Sequence, residues 1–170
     1  MRLLSGGQSG VDRAVLDVAI ARGIAYGGWC PQGGWAEDYP HPPGLLAKYR
    51  DLKETPLADP NQRTEWNVRD ADACMIIVDA GGLEISAGTT LAGELAHRSR
   101  KPLMVVNLHQ PDILKPATLW LRVQQTRLDQ ARPDQTRPGA DLKLAVGGPR
   151  ESEAPGIYER AAAFLEELLE

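Results

Sequence analysis

Three short stretches of this 170-residue chain carry residue types suited to holding an anion. The first is Ser5-Gly6-Gly7-Gln8-Ser9-Gly10-Val11-Asp12-Arg13, where an apolar start gives way to glycines and then to a helical period. Glycines let the backbone turn sharply and approach a ligand, and a helix beginning near Val11 aims unpaired N–H groups and its positive end at the loop. Contacts from Gly6, Gly7, Gln8, Ser9 and Gly10, with Arg13 nearby, would hold a phosphate or another oxyanion. On this reading a side chain at Gly7 obstructs the site and leaves the fold intact. The same residues support a plainer interpretation, in which Ser9 and Asp12 form a capping box and the glycines only make the turn. No lysine stands where a Walker loop needs one, and G-x-G-x-x-G is incomplete. A Walker NTPase and an ordinary dinucleotide dehydrogenase are both poorly supported.

The second stretch is Gly81-Gly82-Leu83-Glu84-Ile85-Ser86-Ala87-Gly88-Thr89-Thr90. Gly88, Thr89 and Thr90 offer hydroxyls and backbone N–H groups for the same chemistry, or a long turn with a threonine cap. The third is Gly147-Gly148-Pro149-Arg150-Glu151-Ser152, where Arg150 could set a cationic fork on a phosphate or make a surface ion pair. Between them, Arg63, Asn67 and Asp70 fall on one helical face, as do Trp66 and Arg69; a solvated helix with its own ion pairs accounts for that pattern. Trp29 and Trp35 flank Cys30-Pro31 and could stack on a planar ligand, with core packing the safer reading for Trp29. His41, His97 and His109 lack metal-ligand spacing, so no metal site is expected. Cys30 and Cys74 lie outside any C-x-x-C spacing, which argues against a disulfide scaffold, and Cys74 reads as an inert buried thiol.

The elements that must position these stretches alternate. Apolar runs at 1–4, 24–26, 73–78, 103–106 and 142–146 read as strands, the third suited to burial on both faces. Helical periods begin at Val11, at Asp59-Pro60 with Gln62 as a capping-box partner, near Thr89, and across 157–168. A polar helix with Leu119, Leu121 and Val123 precedes a tract at 127–141 that reads as a solvated loop, and 32–60 reads as a long, partly ordered excursion. This alternation predicts an α/β fold with a mainly parallel sheet of about five strands. Each glycine-rich stretch follows a strand, which places all three at the same edge of the sheet, where such folds bind ligands.

Composition bounds the function. With 19 basic and 23 acidic residues the formal net charge is −4, which argues against a dedicated nucleic-acid or anionic-membrane surface. No apolar run approaches the roughly 20 residues of a membrane span, and the start lacks a signal-peptide core, so a cytoplasmic protein is expected.

At these residues the chain resembles the molybdenum carrier family. The likeness rests on residues 5–14, Gly27-Gly28-Trp29-Cys30-Pro31, Ala36-Glu37-Asp38, residues 63–70 and Gly148-Pro149-Arg150-Glu151-Ser152. It implies a single Rossmann-like domain over 1–170, a three-layer α/β/α arrangement, with 41–50 and 124–141 as inserted loops. It also implies a small anionic ligand, molybdate or molybdenum cofactor, and a homo-oligomer. Departures include Ser9 in place of a threonine, Gln32-Gly33-Gly34-Trp35 where basic residues are usual, and Ala87-Gly88-Thr89 where two glycines precede the threonine. The same superfamily includes lysine-decarboxylase-like phosphoribohydrolases and DNA-processing A proteins. An N-glycosidic hydrolase is therefore the rival reading, with Glu37, Asp38 or Glu65 as the carboxylate and Arg69 orienting the ribose. Those enzymes carry a glutamate in the first turn after the last loop glycine; here the next glutamate is Glu94, six residues past Gly88 and further along the helix. The expectation is a binding protein rather than an enzyme, with a non-catalytic nucleotide-binding or assembly module as a third reading.

Overall fold

The computed structural model describes residues 1–131 and 141–170. Eleven elements follow one another as β1 (Arg2–Leu4), α1 (Val11–Ala21), β2 (Ala25–Cys30), β3 (Leu52–Glu54), α2 (Pro60–Asp70), β4 (Ala73–Val78), α3 (Ala87–Arg98), β5 (Leu103–Asn107), α4 (Leu114–Ala131), β6 (Lys143–Gly147) and α5 (Ile157–Leu168). The strands form one six-stranded sheet in the order β3-β2-β1-β6-β4-β5, and every pairing is parallel. This is the Rossmann-like α/β architecture, with one strand more than the sequence suggested. The added strand is β3, whose three residues bury only Leu52.

Hydrophobic period sets the layers. On one face α1 and α5 bury Val11, Val15, Ile157, Ala161 and Leu165 against Leu3, Met75, Ile77, Leu144 and Val146. On the other, Val68 of α2 and Ala96 of α3 close over Leu4, Cys74 and Ala145. Leu3 and Leu4 pointing to opposite cores is the strand alternation made visible. Burial raises the Cys30 and Cys74 thiols to about 11, so both stay protonated near neutrality.

Counted from β6, the strand order becomes 4-3-2-1-5-6, a doubly wound sheet growing outward from its first strand. The last strand in sequence thus fills the central place between β1 and β4. Helices leave the adjoining strands β6 and β4 toward opposite faces, and that divergence opens a crevice at their carboxyl ends.

Several segments differ from the sequence reading. Gly27 and Gly28 lie within β2 rather than in a turn, because Ser5 and Asn67 press against Gly28 and leave no room for a side chain. α4 continues through 124–131, where a loop was expected from 127, and 132–140 lie outside the described residues. The 41–50 stretch is no mere surface loop: Leu45 and Tyr49 are fully buried, packing with Leu16, Cys30 and Leu52 in a third cluster. No helix among the described residues is long and apolar enough to cross a membrane.

Candidate functional site

The crevice between β6 and β4 is a cleft of about 200 Å³. Three segments wall it: the start of α2 with Asp59, Arg63 and Thr64; the start of α3 with Ser86, Gly88 and Thr89; and the turn after β6 with Gly147, Gly148 and Arg150. Below it a narrower, mainly apolar chamber of about 50 Å³ reaches Leu4, Cys74 and Ala145, sharing Asp12 and Arg63 with the cleft.

Asp12 is the hub. It sits in the first turn of α1, 2% exposed, and accepts backbone hydrogen bonds from Gln8 and Gly148. Arg63 of α2 donates to it through Nη1 at 2.8 Å. One carboxylate thus joins α1, the β1 loop, the β6 turn and α2. Burial pushes its pKa upward, and Arg63 and the two backbone N–H groups only partly oppose that. Gly6 lies against the Arg63 guanidinium so closely that a side chain there would displace it.

The two helix starts at the cleft are not equivalent. At α2, Asp59 accepts from Asn61 N–H at 2.9 Å and Pro60 has no N–H to satisfy, so that end is closed by its own residues. At α3, Ser86 caps Thr89 N–H weakly, at 3.4 Å, while Ala87 and Gly88 have no acceptor within the helix. Thr89 is 3% exposed, and its hydroxyl is the one buried side-chain oxygen without a hydrogen-bond partner among the described residues. Arg150 stands opposite, 38% exposed, its Nε 3.8 Å from Glu153. No group of His, Cys, Asp and Glu among the described residues could hold a metal ion.

Of the residues singled out in sequence, Gly88, Thr89 and Arg150 meet in this cleft, and Gly6 borders its inner chamber. Thr90 turns back instead, donating to Leu83 O at 3.0 Å. Gly7, Gln8, Ser9, Gly10 and Arg13 form a buried clamp beside the cleft. Gln8 Oε1 accepts from Ser9 N–H and Glu37 N–H, and Ser9 Oγ donates to Glu37 and accepts from Glu151 N–H. Arg13 holds Asp38 through two nitrogens at 2.8 and 2.9 Å and also donates to Gly7 O. Desolvation works against ionising Glu37 and Asp38, yet hydrogen bonds from Ser152 and Ser9, and from Arg13, hold both below their usual range. Glu65 and Arg69 lie on the outer side of α2, in a depression shared with Arg98 and Lys101. None of Glu37, Asp38, Glu65 and Arg69 lines the cleft.

Asp12 and Arg63 join the site although sequence reasoning gave them local roles, in a capping box and on a solvated helix face. Gly10 is the helix cap residue and Ser9 makes no cap bond. The face read as solvated is a docking face: Asn67 accepts from Trp29 N–H and donates to Trp29 O, both at 2.9 Å, and Asp70 accepts from Trp29 Nε1 at 2.7 Å. Three polar side chains spaced as Arg63, Asn67 and Asp70 were the available signal.

No curated protein matches the sequence. A solved structure described as a putative molybdenum carrier protein, from Syntrophus aciditrophicus SB, is 34% identical over 99% of this chain and 94% of its own, with a TM-score of 0.80. The profile of the circularly permutated YpsA SLOG family matches residues 3–169. That description agrees with a sheet whose central strand comes last in the sequence, and the chain belongs to this family.

Proposed function

We propose that the protein binds and carries a small tetrahedral oxyanion or phosphate-bearing ligand in the cleft between β6 and β4, in the manner of a carrier rather than an enzyme. The observation that carries this reading is the Thr89 hydroxyl, buried at the start of α3 without a partner. A buried polar group left unpaired costs about 1–3 kcal/mol, and a ligand oxygen beside it would recover that cost. The unpaired N–H groups of Ala87 and Gly88, the α3 dipole and Arg150 all favour negative charge at the same place. The name of the structural neighbour supports molybdate or molybdenum cofactor as the cargo. The carboxylates considered for N-glycosidic hydrolysis stand outside the cleft, which favours binding over that reaction. The neighbouring Gly7–Gly10 clamp supports the site indirectly, by fixing Asp12 and the turn after β6. We also propose a homo-oligomer, with the exposed Leu119 and Val123 of α4 as its apolar contact; light scattering at the monomer mass of 18.5 kDa would reject it.

Calorimetric titration with molybdate, phosphate and a nucleoside monophosphate tests the cleft and separates the cargo classes. Binding is expected in the parent and is expected to weaken in Thr89→Val and Arg150→Gln. No binding of any of the three probes, or equal affinity in both variants, overturns the proposal.

A further inference from the structure

At the opposite end of α2 from the cleft, a second cavity of about 180 Å³ lies on the open face of the sheet. Arg2, Lys143, Lys53 and Trp29 line it, with Asp51 and Asp70. Strand register explains the gathering. Arg2 of β1 is directly opposite Lys143 of β6, and Trp29 of β2 is directly opposite Lys53 of β3. Because Leu4 is paired with Gly27, these side chains all share the α2 face. The eleven residues of α2 span about 16 Å, which separates this cavity from the cleft at its other end.

Like charges directly opposite each other on one sheet face repel and cost stability. Here neither Arg2 nor Lys143 has a carboxylate within ion-pair distance among the described residues, and Lys53 only rests over the Trp29 ring, 5.7 Å from its centroid. The Arg2 guanidinium is nevertheless placed: Gly27 leaves the strand bare, and a Cβ there would come within 2.7 Å of Nη2. Of the two acidic groups, Asp70 is already engaged by Arg69 and Trp29 Nε1. The carbonyls ending α2 are covered by Lys101, which donates to Arg69 O and Ala71 O. Asp70 also feels the charge of Lys143, and Asp141 that of Arg2, so the carboxylates of the cavity itself, Asp51 and the already engaged Asp70, face three cations.

We infer that Arg2, Lys53 and Lys143 form a second anion site on the β1-β2-β6 face, taking a compact polyanion with adjacent phosphate groups. Arg2 supplies a planar fork and the two ammonium groups supply point charges on either side. Trp29 is the reporter, because its indole N–H is fixed by Asp70 inside the same cavity.

Inorganic pyrophosphate is the probe. Titration into the intact protein, followed by the Trp29 indole N–H resonance, is expected to give a saturable shift that added salt suppresses. The double variant Lys53→Gln/Lys143→Gln changes two exposed side chains and is expected to weaken the response by about tenfold or more, with the rest of the amide spectrum unchanged. Arg150→Gln is expected to leave it intact. A resonance that millimolar pyrophosphate does not move, a double variant that titrates like the parent, or loss of the response in Arg150→Gln overturns the inference.

Discussion

The loop after β1 and the loop before α3 carry similar glycine-rich sequences between a strand and a helix, yet they end in opposite states. In the first, residues 5–10 are all buried, and the Ser5, Gln8 and Ser9 side chains are each used within the protein. In the second, Ala87 is exposed, Gly88 is half-buried and the Thr89 hydroxyl has no partner. Glycine at a strand–helix turn reports that something comes close. At the first loop that something is the protein itself, in the form of the Pro149 carbonyl at Gly10 and Arg63 at Gly6. What sets the second loop apart is a buried side-chain hydroxyl with hydrogen-bonding capacity left over, and among the described residues only Thr89 has one.

The sharpest way to break this contrast is to add one methyl group to each loop. Gly10 has φ of 71° and ψ of −131°, a region closed to other residues, and a Cβ would fall on Pro149 O. Gly10→Ala is expected to destabilise the protein by about 3 kcal/mol or more in urea unfolding. At Gly88 an added Cβ meets only Ser86 Oγ, at 3.9 Å, so Gly88→Ala is expected to hold or gain up to about 1 kcal/mol through helix propensity. Equal stability of the two variants would remove the distinction. The expectation that a side chain at Gly7 blocks a site without touching the fold needs correcting on the same grounds. Gly7 has φ of 69°, and its Cβ would lie 3.0 Å from Leu45 Cδ1 and 3.1 Å from Leu52 Cδ1, inside the third core cluster.

A smaller effect separates the loops by pH. Desolvation raises the Glu37 and Asp38 pKa values, but hydrogen bonds from Ser152, Ser9 and Arg13 outweigh it and both are lowered. A lowered carboxylate stabilises the fold fully above its ordinary value, and that stabilisation is lost as pH falls through the lowered one. The tie between 36–39 and the β1 loop is therefore expected to loosen as pH falls from the ordinary carboxylate range near about pH 4. Hydrogen exchange at the Glu37 and Ser152 amides, which bond Gln8 and Glu37, reads this directly. Protection there should fall with acid before that of Thr90 N–H, which is held by Ser86 O within the other loop. Simultaneous loss at all three amides would show that the clamp has no acid sensitivity of its own.

The sequence exposed the architecture far better than the site. Parallel strands, the helices at 11–21, 60–70 and 157–168, and three loops at one sheet edge all follow from local period and caps. What local reading missed depends on partners far along the chain. Asp12 and Arg63 are 51 residues apart, so neither period nor capping could pair them. Gly27-Gly28 looked like a turn because glycine normally breaks strands, whereas here Arg2, Ser5 and Asn67 crowd the strand and exclude side chains. Tyr49 stands in a stretch with no periodicity, and its burial comes from α1, whose Asp17 accepts its hydroxyl at 2.8 Å. Gly88, Thr89 and Arg150 were named from their residue types, but an unpartnered hydroxyl is visible only once every neighbour is placed.

The smallest expected effects come from deleting one hydroxyl in each loop, and here the two loops should differ in sign. Ser5 Oγ donates to Asp12 O at 2.8 Å and accepts from Gly7 N–H at 3.3 Å, all within buried surroundings. Ser5→Ala removes both bonds and leaves the buried Gly7 N–H without its partner, a loss of about 1–3 kcal/mol. Thr89→Val is nearly isosteric and removes a hydroxyl that bonds nothing. It should therefore leave the unliganded protein unchanged or raise its stability by up to about 1 kcal/mol, through relief of an unsatisfied buried group. The same substitution should weaken molybdate or phosphate binding, so stability and affinity move in opposite directions at one position. Paired thermal unfolding of the two variants, with and without anion, measures both. If Thr89→Val destabilises the unliganded protein as much as Ser5→Ala does, the Thr89 hydroxyl has a partner inside the fold and is not held open for a ligand.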